Sequence, residues 1–128
     1  MSNDPVRYAV RLSPRAERDL DRAVVDYADL TGDENRAALL YRRIRETAAT
    51  LSENPDRYAV AEHESQQFGF SVRRVLARLS KGSGVAYHLI YFAVEESPDG
   101  PRVSIVHIRH ASRAELTTEE ASEIRAQQ

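Results

Sequence analysis

Apolar and polar residues alternate near the start of the chain, where Tyr8, Val10 and Leu12 interleave with Arg7, Ala9 and Arg11. A period of two predicts a short strand with one buried face. Ser13-Pro14 then changes the period. Serine caps orphan N–H groups and proline suits the first helical position, so a helix opens here. Ala16, Leu20, Ala23, Val24 and Tyr27 recur at three- and four-residue steps and form its apolar stripe. Thr31-Gly32 ends that helix, and Asp33 or Glu34 opens a second one. Its stripe is Ala37, Leu40, Tyr41, Ile44, Ala48 and Leu51, and Asn54-Pro55 closes it. The short joint predicts an antiparallel helical hairpin, with Tyr27 and Tyr41 in its core.

Residues 56–69 show no period and read as a polar loop. Three strand-like runs follow: Phe70–Leu79, Val85–Val94 and Arg102–His110. Lys81-Gly82-Ser83-Gly84 and Pro98-Asp99-Gly100 mark the turns between them, which predicts a three-stranded antiparallel meander. Thr117–Ala126 reads as a short polar helix whose weak apolar face predicts fraying or weak docking. Strands grouped after helices, rather than alternating with them, indicate an α+β fold. The expected architecture is an N-terminal strand, a two-helix hairpin and the meander, with the helices on one sheet face. The other face is expected to be open, with functional residues on it or at its rim. Residues 1–113 make one domain, and residues 114–128 form an acidic tail.

Composition narrows the function classes. A chain of 128 residues fits a single domain. The absence of cysteine excludes disulfides, thiolate metal sites and cysteine nucleophiles, and fits a reducing compartment. No apolar run approaches the roughly 20 residues of a membrane span. The start, MSNDPVRYAV, lacks the basic-then-apolar layout of a signal peptide, so a cytoplasmic location is expected. The net charge of −2 is unevenly spread: residues 114–128 hold four Glu and one Arg, leaving the rest close to neutral. All cations but Lys81 are arginines, which suit bidentate contact with phosphate or carboxylate. A GC-rich genome would produce the same bias.

Five stretches, in order, resemble the RelE/ParE family of type II toxins. YAVRLSPRAERDLDRAVVDY resembles the first strand and helix, with an Asp19-Leu20 pair, and LSENP resembles the end of the second helix. SVRRV resembles a valine–arginine strand with Arg73 at the arginine. YHLIY resembles a Tyr-Arg-x-x-Tyr strand with Tyr87 and Tyr91 in place, and VSIVHIRHASR resembles the closing strand with His110 and Arg113 in place. Together they cover residues 8–113. The resemblance implies a growth-inhibiting toxin of a plasmid-stabilisation type, held inactive by a cognate antitoxin. It also implies one of two targets: DNA gyrase, bound and stalled by ParE-like members, or ribosome-bound messenger RNA, cut by RelE-like members. No cofactor is implied.

The departures bear on that choice. Where RNA-cutting members carry the arginine of Tyr-Arg-x-x-Tyr, this chain has His88. A catalytic tyrosine shortly after the terminal arginine is missing. The nuclease constellation is thus half present, and the expectation leans toward gyrase poisoning. A degenerate, non-toxic binding module also fits the near-neutral body.

Metal-free RNA cleavage needs an acid, a base and cations around the phosphate, roles that histidine and arginine fill. The candidates are His88, His110, Arg73 and Arg113, with His107 and Arg109 beside them. Their ordinary alternatives are a strand histidine bonded to backbone and a C-terminal latch. Arg109 and Arg78, with Arg102, can form a cationic face, and Tyr87 and Tyr91 share a strand face as core or stacking groups. Arg73 and Arg74 point to opposite sides, and one of them is expected to pair with Glu62 or Asp19. On strict alternation His110 shares a face with Val106 and Ile108, and His107 shares one with Ile105 and Arg109. His63, Glu62 and Glu64 lack metal-ligand spacing, so no metal site is expected there.

Overall fold

Ser13 starts the first helix as its sequence requires: its Oγ accepts the Ala16 N–H at 3.1 Å, and Pro14 occupies the first helical position. In the computed structural model, which describes residues 6–79, 87–111 and 118–127, this helix is α1, Pro14–Thr31. It follows β1, Ala9–Leu12, and ends at Gly32, whose φ of 65° is the left-handed conformation that glycine adopts without strain. Asp33 then caps α2, Glu34–Ala49, accepting the Asn35 and Arg36 N–H groups at 3.0 and 3.2 Å. Short 3₁₀ turns at Thr50–Ser52 and Pro55–Arg57 lead to α3, Glu62–Phe68. Then come β2 (Arg73–Arg78), β3 (Tyr87–Ser97), β4 (Gly100–His110) and α4 (Thr118–Ala126).

The fold is α+β, and the described residues form four α-helices and one four-stranded sheet in the order β1-β4-β3-β2. The sheet is mixed. β2, β3 and β4 pair antiparallel in succession, and β1 adds to β4 in parallel, Ala9 opposite Arg102 and Leu12 opposite Ile105. A parallel neighbour needs a long crossover. The helical hairpin and the β2–β3 pair supply it, which the punctuation of the sequence does not reveal.

The hairpin buries one face of the sheet. Ala16 and Leu20 of α1 and Leu40, Ile44 and Ala48 of α2 pack with Val75, Ala77, Ile90, Phe92, Val103 and Ile105. Each large side chain removed from water here contributes roughly 1.5–3 kcal/mol before conformational entropy opposes it. Tyr27 packs against this core, but Tyr41 is 39 % exposed and reaches out to Arg45 at 3.0 Å.

The second face is covered over β3 and β4 but stays open along β2, where Arg74, Leu76 and Arg78 are exposed. Ala61 and Phe68 at α3, Val72, and Ala121 and Ile124 of α4 close over Tyr91 and Val106. Two expectations are corrected. Residues 62–68 form a helix because Ala61, Phe68 and Val72 have an apolar sheet face to cover, a tertiary reason invisible to local periodicity. And α4 is seated rather than frayed, since Ala121 and Ile124 are both buried and its acids are held by α1. Among the described residues no helix is long and apolar enough to cross a membrane.

A bulge corrects a third expectation. Tyr91 pairs with His107 but Phe92 pairs with Ile105, so Val106 is the extra residue on β4. Past it the alternation changes phase. Ile108 joins Ile105 on the hairpin face, while Val106 packs with Tyr91 on the other, so Val106 and Ile108 no longer share a side.

Candidate functional site

β1 is short, and its pairing with β4 stops at Leu12 and Ile105. Beyond that point the backbone edge of β4 is met by a side chain. Asp19 of α1 accepts the Ile108 N–H at 3.1 Å through Oδ2. The same oxygen lies 2.8 Å from His107 Nδ1, and Oδ1 accepts from Arg15 Nε at 2.9 Å. An ionised carboxylate only accepts, so Nδ1 of His107 carries the proton. Burial pushes the Asp19 carboxyl up, but the bond from His107, its charge, the Ile108 N–H and Arg15 outweigh it and leave the group below its usual range.

Arg15 carries the chain of contacts to α4. It is 9 % exposed and bonds Glu120 at 2.8 Å and Glu123 at 2.7 Å, with Arg18 also on Glu123. On the other side, His107 stacks on Tyr91 with ring centroids 5.9 Å apart. The Tyr91 hydroxyl donates to Glu64 at 3.2 Å and accepts from Arg109 at 3.0 Å. One polar line thus runs from α4 through α1, β4 and β3 to α3. Arg15, Asp19, Glu64, Glu120 and Glu123 were not singled out by sequence reasoning as its members. The i,i+4 spacing of Arg15 and Asp19 on a helix was the available signal.

Of the expected site residues, His88 and His110 are brought together across β3 and β4, while Arg73 stands apart. Arg73 lies on the hairpin side of β2, and its guanidinium bonds the Asp56 carbonyl at 3.2 Å and lies 3.7 Å from the Asp56 carboxylate. Its acid is therefore Asp56, not Glu62 or Asp19, because the 3₁₀ turn at Pro55–Arg57 folds back along β2. Arg74 is exposed on the second face, beside Glu62, His63 and Glu64. His88 pairs with Ala77 on one side and His110 on the other. Arg73 and His88 are four residues apart along the register, roughly 13 Å at about 3.3 Å per residue. Tyr91 is fully buried, so its ring stacks on His107 rather than on a ligand. Arg109 reaches Tyr91, Arg78 is exposed on β2, and Arg102 bonds Glu95 at 2.9 Å at the far end of the sheet. The Tyr87 side chain and Arg113 lie outside the described residues.

His88 is 4 % exposed, and its Nδ1 has no hydrogen-bond partner. Burial, followed by the charge of His110, pushes its pKa down to about 4 from 6.5. At neutral pH it is an uncharged imidazole. The unfolded chain takes up this proton near 6.5 and the folded chain only near 4, so the stability that neutral His88 contributes is complete above about 6.5. It is lost as the pH falls toward about 4, by up to about 3 kcal/mol. The expected result is a flatter fall of urea stability between pH 6.5 and 4.5 in His88→Gln than in the wild type. Parallel profiles would remove His88 as the titrating group.

A family model for the ParE toxin of the type II toxin–antitoxin system, parDE, matches residues 10–115. Among curated proteins and among solved structures nothing matches the chain. The matched span runs from within β1 to beyond β4 and so takes in the sheet but for Ala9, the helical hairpin and the Asp19–His107 junction. The chain therefore belongs to the ParE toxin family and is the toxin of a type II toxin–antitoxin system, a family that implies a cognate antitoxin partner.

Proposed function

We propose that this toxin arrests growth by binding DNA gyrase and stalling it on DNA, as ParE-like members of the family do. The observation that carries the reading is that Arg73, the cationic nuclease candidate among the described residues, stands apart from the His88–His110 pair. General acid–base catalysis needs its groups within hydrogen-bond reach of one reacting centre. Here His88 is buried beside Ala77, and Arg73 holds the Asp56 turn roughly four residues further along β2. Tyr91 is packed beneath α3 and α4. Inhibition by occupation of a partner surface asks for none of these groups to converge. On this reading the chain acts in the cytoplasm, and the antitoxin masks the surface that gyrase would meet.

The test is induced expression of the full chain in bacteria, followed by assay of purified gyrase. Growth arrest with intact messenger RNA, filamentous cells and inhibited supercoiling is the expected result. Cuts within translated codons would overturn it and return the chemistry to His88, Arg73, His110 and Arg113. Undiminished growth would leave the family fold serving as a binding module.

A further inference from the structure

His88 and His110 are direct cross-strand neighbours near the end of the β3–β4 pair, on the last register step that the strands share. Their rings are 5.2 Å apart between centroids and nearly perpendicular, at 83°. Zinc–imidazole bonds of roughly 2.0–2.1 Å put two ring centroids about 5 Å apart around a tetrahedral ion. The separation leaves room for a shared ion, and adjacent strands hold it without help from a flexible loop. His88 Nδ1 is buried and unpartnered, so no hydrogen bond must be broken there for the ring to serve as a ligand. His110 is exposed, so the pair borders solvent on that side.

We infer that His88 and His110 form a bidentate site for a borderline divalent transition cation, Zn²⁺ being the natural probe. Among the described residues no group of three or more His, Asp or Glu side chains converges on one point, so water completes the coordination. Such a site holds its ion exchangeably rather than building the fold around it. Neutral imidazole favours zinc-type ions over magnesium, which seeks oxygen ligands. The pairing escapes sequence inspection because 88 and 110 match no short ligand spacing; only the register of β3 against β4 joins them.

The experiment titrates the full chain, free of any polyhistidine tag and of chelator, with ZnCl₂ and then MgCl₂. Calorimetry gives the stoichiometry, and the carbon-bound imidazole protons are followed by NMR. One Zn²⁺ per chain should bind saturably, moving the His88 and His110 signals and leaving His63 and His107 in place. His110→Asn should weaken binding roughly tenfold or more, and His63→Asn should leave it unchanged. His88→Gln should give the same loss if it folds, and His110→Asn decides alone if it does not. Magnesium should give no saturable signal. Unchanged affinity in His110→Asn, or a zinc response centred on His63, overturns the site.

Discussion

Asp19→Ala is expected to cost about 3–5 kcal/mol of folding stability, the range for removing one partner of a buried ion pair. The substitution strands three groups at once. Arg15 loses one of its three carboxylates, His107 loses the acceptor at Nδ1, and the Ile108 N–H loses the oxygen that stands in for a strand neighbour. His107 is fully buried, and its Nε2 already lacks a hydrogen-bond partner, so it cannot be rescued by turning outward. Glu120 and Glu123 keep Arg15 partly compensated, which holds the loss inside the stated range. Asp19→Asn should cost less, because the amide oxygen still accepts the Ile108 N–H while the charge facing Arg15 is gone. Urea midpoints of the two variants check this, and a loss below about 1 kcal/mol in Asp19→Ala would show that the junction is not cooperative.

Phe68→Ala should cost a similar amount, about 3–5 kcal/mol, for a different reason. Phe68 is fully buried and meets Tyr91 edge-on at 6.1 Å and Phe70 at 5.9 Å. It is the largest member of the second core except Tyr91, and it joins α3 and α4 to the sheet. Arg125 bonds the backbone carbonyls of Gln67 and Phe68, and those bonds survive the truncation. The cavity term therefore dominates, and amide exchange in α4 should accelerate more than exchange in α2. Phe68→Leu refills most of the volume and should recover more than half of the loss. Equal losses in the two variants would mean that the aromatic contacts, not the cavity, set the cost.

Much of the fold was legible because its signals are local. Ser13-Pro14, Gly32 and Asp33 fix helix ends through their own backbone chemistry, and the structure places them at those ends. The antiparallel succession of β2, β3 and β4 is read from turn residues, of which Pro98-Asp99-Gly100 joins β3 to β4, while Lys81-Gly82-Ser83-Gly84 lies outside the described residues. What was not legible depends on partners distant in sequence. α3 is helical because it covers a sheet face, and α4 is seated because Arg15 and Arg18 hold its acids. The candidate site suffered most from one extra residue: Val106 changes the phase of β4, so strict alternation gave Val106 and His110 a common side. Tyr91 was legible as a core residue, and it is fully buried, but its partners Glu64, Arg109 and His107 were not, because they come from α3 and β4.

The parallel seat of β1 beside β4 dictates an order of events during synthesis. Residues 9–12 leave the ribosome early, yet their hydrogen-bond partners are residues 102–105. Roughly 90 residues of chain must be made first, and closing so long a loop is entropically costly until the β3–β4 hairpin exists to receive the strand. At about 5–20 residues per second, several seconds separate the two halves of this one pairing. During that interval α1 and α2 can form, but neither the completed sheet nor the Asp19 junction can. The nascent toxin is therefore structurally incomplete until translation has passed residue 108, a delay in which a binding partner already present can meet each surface before the finished domain exists.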